Sequence, residues 1–181
     1  VNGDGFQDIA ASNNSTNNVS VRLGTCMTSV TYNGNGSNSG SVPVDPATYA
    51  VGSTVTVLGN TGSLSRNGYD FSGWNTAPDG SGTSYAPSGT FTINANTTLY
   101  AKWAIKQYTL TYNGNGNTGG TAPAAVTQNY NTGVSVAGPG SLTRSGYTFG
   151  GWNTASDGSG TDYAPASTFT FPAANTTLYA V

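Results

Sequence analysis

Asn2, Asp4 and Asp8 set oxygen ligands at alternate positions of a loop that Gly3 and Gly5 allow to turn sharply. A hard cation requires oxygen donors in this kind of arrangement, so the loop is a calcium candidate. The plainer alternative is a solvated turn. Elsewhere, residues that carry chemistry are scarce. There is no His and no Glu, and Cys26 is alone. No Ser–His–Asp or Cys–His nucleophile can be assembled from such a set. All seven acids are Asp, mostly in turn contexts, and they offer no pair for glycosidase or aspartic-protease chemistry. Asp79-Gly80-Ser81-Gly82 and Asp157-Gly158-Ser159-Gly160 read as turns, where Asp bonds local backbone and Gly accepts positive φ. Lys102 is the Lys best placed for an isopeptide cross-link, yet Val181 stands at the matching position of a second copy. Cys26 reads as a small apolar residue in or near a strand; a cross-link to another chain is the sharper alternative.

The large rings are the next group. Tyr69, Phe71 and Trp74 recur as Tyr147, Phe149 and Trp152, and Trp103 closes the first copy. Exposed rings stack on sugars; buried rings fill a core. Because other large apolar residues are few in either copy, these seven are expected to form the core. Asn13, Asn14, Asn18, Asn35, Asn96 and Asn175 head Asn-x-Ser/Thr triplets and are glycosylation candidates. Asn96 and Asn175 occupy equivalent positions.

These residues sit within a duplication. Tyr32-Asn33-Gly34-Asn35-Gly36 recurs as Tyr112-Asn113-Gly114-Asn115-Gly116. Arg66-Asn67-Gly68-Tyr69-Asp70-Phe71-Ser72-Gly73-Trp74 recurs as Arg144-Ser145-Gly146-Tyr147-Thr148-Phe149-Gly150-Gly151-Trp152. Asn96-Thr97-Thr98-Leu99-Tyr100-Ala101 recurs as Asn175-Thr176-Thr177-Leu178-Tyr179-Ala180. The offsets are 80, 78 and 79, so short loop changes separate two copies of one module. Thr54–Leu58, Tyr69–Trp74, Phe91–Ile93 and Thr97–Trp103 alternate apolar and polar residues, which predicts strands. Gly73 marks a bulge. Gly and Pro interrupt every helical window, leaving at most one short helical turn per copy. The fold class predicted is mostly β, in two small units. Residues 1–25 stand apart, 26–104 form the first unit and 105–181 the second. The junction Ala104-Ile105-Lys106-Gln107 is short, which predicts units held close.

Composition narrows the setting. Charged residues make up 7% of the chain and net charge is −2, with the five Lys and Arg scattered, so nucleic-acid binding lacks its electrostatic footprint. No apolar run is long enough to span a bilayer, and no signal peptide is visible.

Tyr108-Thr109-Leu110-Thr111-Tyr112-Asn113-Gly114-Asn115-Gly116, the Arg144–Trp152 segment and the Leu99-Tyr100-Ala101-Lys102-Trp103 closure occur in order. In this the chain resembles the Listeria–Bacteroides repeat, or internalin B-repeat, over residues 28–181. The resemblance implies small β-grasp-like sheets in tandem on bacterial surface proteins, acting as spacers or adhesive modules, with no catalytic residues. Residues 1–24 are similar to a truncated VCBS/FG-GAP propeller blade. That likeness implies a calcium loop of Asn2, Asp4, the Phe6 carbonyl and Asp8, with the loop's first Asp absent. The reading is a non-enzymatic, extracellular structural stalk or fibre element in adhesion, with calcium as its one candidate cofactor. Alternatives are a filament subunit built by addition of the Val19–Leu23 strand to a neighbour's sheet edge, or a module binding glycan or another surface protein.

Overall fold

The structure, a computed structural model, describes residues 25–181 and the backbone of two earlier strands. Those strands, β1 (Ile9–Asn13) and β2 (Asn18–Arg22), pair antiparallel with each other. The chain then divides into two compact units. The first holds the described residues to Ser65 together with Phe71–Trp103, and the second holds Arg66–Asp70 and Ala104–Val181.

The first copy contributes β3 (Met27–Thr28), β4 (Val30–Asn33), β5 (Tyr49–Ala50), β6 (Ser53–Thr56), β7 (Tyr69–Asn75), β8 (Ser84–Tyr85), β9 (Thr90–Ile93) and β10 (Thr97–Ile105). Its main sheet has the order β4-β10-β7-β8, with β4 and β10 parallel and Leu99 opposite Tyr32. Two antiparallel ladders, β3 with β5 and β6 with β9, complete it. The second copy contributes β11 (Gln107–Asn113), β12 (Val126–Asn129), β13 (Gly133–Ser135), β14 (Trp152–Asn153), β15 (Asp162–Tyr163), β16 (Thr168–Thr170) and β17 (Thr176–Ala180). Its sheet runs β12-β11-β17-β14-β15 around the parallel pair β11 and β17, and β13 pairs with β16.

The protein is mostly β, and no helix occurs among the described residues. A parallel pair needs a long crossover. Here that path is filled by short strands and Gly-rich turns, because its Gly, Pro and β-branched residues disfavour helix. The Asn-Gly-Asn-Gly loops turn on left-handed residues: φ is 45° at Asn35 and 79° at Gly36, with 50° and 83° at Asn115 and Gly116.

Each unit encloses its own apolar core. Val30, Tyr32, Val55, Val57, Leu64, Trp74, Ile93 and Leu99 are buried in the first, and Leu110, Tyr112, Val136, Trp152, Phe169, Phe171 and Leu178 in the second. Trp74 and Trp152 are fully inaccessible. Phe71 and Trp103 flank the first core half-buried, as Phe149 flanks the second.

Three expectations require correction. Tyr147 is not a core residue: it is 69% exposed, and its ring lies 4.4 Å from the Arg144 guanidinium carbon. Its counterpart Tyr69 is half-buried and meets the Tyr130 ring edge-on at 6.0 Å. The strand expected at Thr54–Leu58 is β6, which ends at Thr56; the backbone of Leu58 instead bonds the Tyr32 and Trp74 side chains. The copy of β7 shrinks to Trp152–Asn153, since Gly150-Gly151 replaces Ser72-Gly73 and a Gly pair gives the strand no side chain to pack.

Candidate functional site

The calcium candidates Asn2, Asp4, Phe6 and Asp8 lie outside the described residues, as does Asn14; Asn13 and Asn18 are described only as strand backbone. Among the described residues, no three or more His, Cys, Asp or Glu side chains gather where a metal could be held. Each described carboxylate has a structural partner. Asp45 accepts from the Tyr49 hydroxyl at 2.8 Å, and Asp70 pairs with Lys106 Nζ at 2.8 Å. Asp79 accepts from Ser81 Oγ at 2.7 Å and Asp157 from Ser159 Oγ at 2.6 Å. Asp162 accepts from Asn153 at 2.6 Å. The Ser hydroxyls and backbone N–H groups hold Asp79 and Asp157 below the usual carboxylate range, and the Asp70 carboxylate raises Lys106. Cys26 is a half-buried free thiol.

The remaining sequons differ in availability. Asn35 donates its amide to the carbonyls of Pro78 and Ala101 at 2.8 and 2.9 Å, so attaching a glycan to that nitrogen costs at least one of the two bonds. Asn96 and Asn175 are exposed and use only their oxygens in the bonds seen, accepting from the backbone N–H of Ser29 and Thr109, each at 2.9 Å.

A Tyr–Trp clamp is built identically in both units. The Leu58 N–H donates to the Tyr32 hydroxyl oxygen at 2.9 Å, while Trp74 Nε1 donates to the Leu58 carbonyl at 2.9 Å. Ala137 is held the same way by Tyr112 and Trp152, at 3.0 and 2.8 Å. The two rings meet at 4.7 Å in the first unit and 4.8 Å in the second. Burial raises the Tyr32 phenol, with the Leu58 N–H partly offsetting it. Buried Asn75 and Asn153 anchor the Asp-Gly-Ser-Gly turns. Asn75 donates to Gly80 O, Gly82 O and Ser84 Oγ and accepts from Ala77 N, and Asn153 bonds Gly158, Asp162, Ala155 and Gly160. Sequence reasoning missed Asn75, Asn153, Tyr32 and Tyr112 as determinants. The available signal was their identity in both copies.

Asn35 and Asn115 tie their loops to the closing strand, Asn115 donating to Ser156 O at 2.8 Å and Ala180 O at 3.0 Å. In the first unit Trp103 lies against the loop. Its indole N–H reaches the carbonyls of Gly34 at 3.2 Å and Asn35 at 3.0 Å, and its ring meets Phe71 edge-on at 5.9 Å. In the second unit a groove of about 180 Å³ is lined in part by Asn115, Leu142, Arg144, Tyr147, Phe149 and Val181. There Arg144 donates to the Asn115 carbonyl at 3.3 Å.

Comparison with known proteins agrees with this doubled construction. Residues 29–102 and 108–181 each match the Listeria-Bacteroides repeat domain. Two proteins of Evansella cellulosilytica are similar. One, named "Putative Gly-rich membrane protein", is 44% identical over 156 residues, covering 83% of this chain and 18% of its own length. The other, named "Putative membrane protein", is 41% identical over 115 residues, covering 64% and 17%. The chain thus spans less than a fifth of the curated relatives it matches. No solved structure matches it. Among the described residues, no helix is long and apolar enough to cross a membrane.

Proposed function

Because this chain belongs to the Listeria-Bacteroides repeat domain family, we propose that it is a non-catalytic spacer: a repeated segment of a bacterial surface protein that sets the distance at which another part is displayed. The observation that carries this reading is the use of identical polar and aromatic groups for internal construction in both units. The Tyr–Trp clamp and the buried Asn anchor each recur, with these bonds made to backbone of the same unit. The described carboxylates are likewise spent on local bonds. The surface setting draws support from the names of the relatives, both described as membrane proteins, and from a polar surface poor in charge. Residues 26–104 and 105–181 are the proposed modules.

The second reading, a module binding glycan or another surface protein, is favoured by one feature: the exposed Tyr147 ring beside the Arg144 cation. A display assay separates the two. The chain is placed between a cell-wall anchor and a terminal epitope, with zero, two or four repeats. A spacer gives antibody access that rises with repeat number and is unchanged by Tyr147→Ala. Access independent of repeat number, with cell adhesion abolished by Tyr147→Ala, overturns the spacer reading in favour of binding.

A further inference from the structure

Asn96 and Asn175 stand at the same point of the two units, immediately before β10 and β17. Each is exposed, and each spends only its carboxamide oxygen on the fold. Asn96 Oδ1 accepts from the Ser29 backbone N–H at 2.9 Å and from the Ser29 hydroxyl at 3.3 Å; Asn175 Oδ1 accepts from the Thr109 N–H at 2.9 Å. An oxygen is all that this anchor needs, and an Asp carboxylate would supply one. The amide nitrogen that Asn adds is left over, with no bond among the described residues in either unit. Two residues on, Thr98 and Thr177 complete the Asn-x-Thr triplets. Leu99 and Leu178 are buried, so strand alternation puts the Thr before each on the opposite, outer face. Asn35 is the internal contrast. It heads a triplet too, yet it is half-buried and its nitrogen donates to the Pro78 and Ala101 carbonyls. Its counterpart Asn115 donates in the same way and is followed by Gly116-Asn117, with no hydroxyl two residues on. The triplet thus recurs where the nitrogen is spare and not where the fold uses it.

From this contrast we propose that Asn96 and Asn175 are attachment sites for N-linked sugar, one per repeat, and that Asn35 is not. The donor is a sugar activated at its anomeric carbon by a diphosphate, and a cellular transferase brings it to the Asn-x-Thr triplet. Nδ2 bonds to the anomeric carbon, and the bond from that carbon to the diphosphate oxygen breaks. The diphosphate leaves with the electron pair, and one Nδ2 proton passes to a base of the transferase. The product is a secondary amide that keeps its carbonyl oxygen. The bonds from Ser29 and Thr109 therefore survive attachment, and the folded unit loses nothing. The same reaction at Asn35 leaves one N–H to serve two carbonyls, so it costs the loop one of its ties to the closing strand or to Pro78.

The test is peptide mass spectrometry on the chain isolated from the cells that make it. Sugar is expected on the peptides that carry Asn96 and Asn175, with the Asn35 peptide bare. A single sugar at each site indicates a nucleotide-carried donor and a preassembled oligosaccharide a lipid-carried one; either supports the assignment. A variant made in the same cells separates attachment from anchoring. Asn96→Asp with Asn175→Asp keeps the anchoring oxygens and removes the nitrogens, so it is expected to lose sugar at both positions while its circular dichroism stays that of the unaltered chain. Bare Asn96 and Asn175 in the unaltered chain, or sugar on Asn35 in preference to them, overturns the proposal. Either result leaves the spacer reading intact, because that reading rests on the buried clamp and anchor groups.

Discussion

At the residue scale, stability in these units rests on a few buried polar groups that act as anchors among rings. Asn75 and Asn153 are essentially inaccessible and satisfy turn backbone from inside. Asn75→Ala or Asn153→Ala strands several of those partners, and each is expected to cost about 1–3 kcal/mol. Denaturant unfolding of each variant checks this; an unmoved midpoint contradicts it. Titration gives a second expectation. Asp79 and Asp157 have depressed folded pKa values, so their contribution is complete above the unfolded carboxylate pKa and is lost as pH falls through the lower folded value. Tyr32 is raised by burial and Tyr49 by its bond to Asp45, so their contribution is complete below the unfolded phenol pKa and is lost as pH rises through the higher folded value. Melting temperature against pH should therefore fall at both extremes. Asp79→Asn with Asp157→Asn should flatten the acid limb alone; an unchanged acid limb contradicts the assignment.

At the element scale, the bulge glycines of the two copies leave unequal room for a side chain. Gly73 has φ 121° and a Cβ there would lie 2.7 Å from the Tyr85 carbonyl oxygen, whereas Gly151 has φ 145° and 3.3 Å to the Tyr163 carbonyl oxygen. Gly73→Ala is expected to destabilise by about 1–3 kcal/mol, and more than Gly151→Ala; thermal melts showing the reverse order refute this. The elements also show what sequence could and could not supply. Tyr69–Trp74, Phe91–Ile93 and Thr97–Trp103 were legible because one face of each strand is buried, which leaves a period of two. The parallel pairing of β4 with β10 was not, since nothing local in Val30–Asn33 specifies a partner so distant in sequence. Leu58 looked like a strand residue, but its N–H and carbonyl go to Tyr32 and Trp74, a side-chain arrangement that alternation does not encode. Tyr147 shares its motif with Tyr69, and a motif does not state which rings find a neighbour.

For the whole molecule, the chain divides into two compact sheet units, each with its own apolar core and its own Tyr–Trp clamp. Duplication then adds length without adding chemistry. The most direct measurement is single-molecule extension of the chain between handles at its two ends. The account predicts two separate unfolding events, each releasing on the order of 250 Å of chain at about 3.4 Å per residue. A single release of both repeats at once, or a smooth extension without steps, contradicts it.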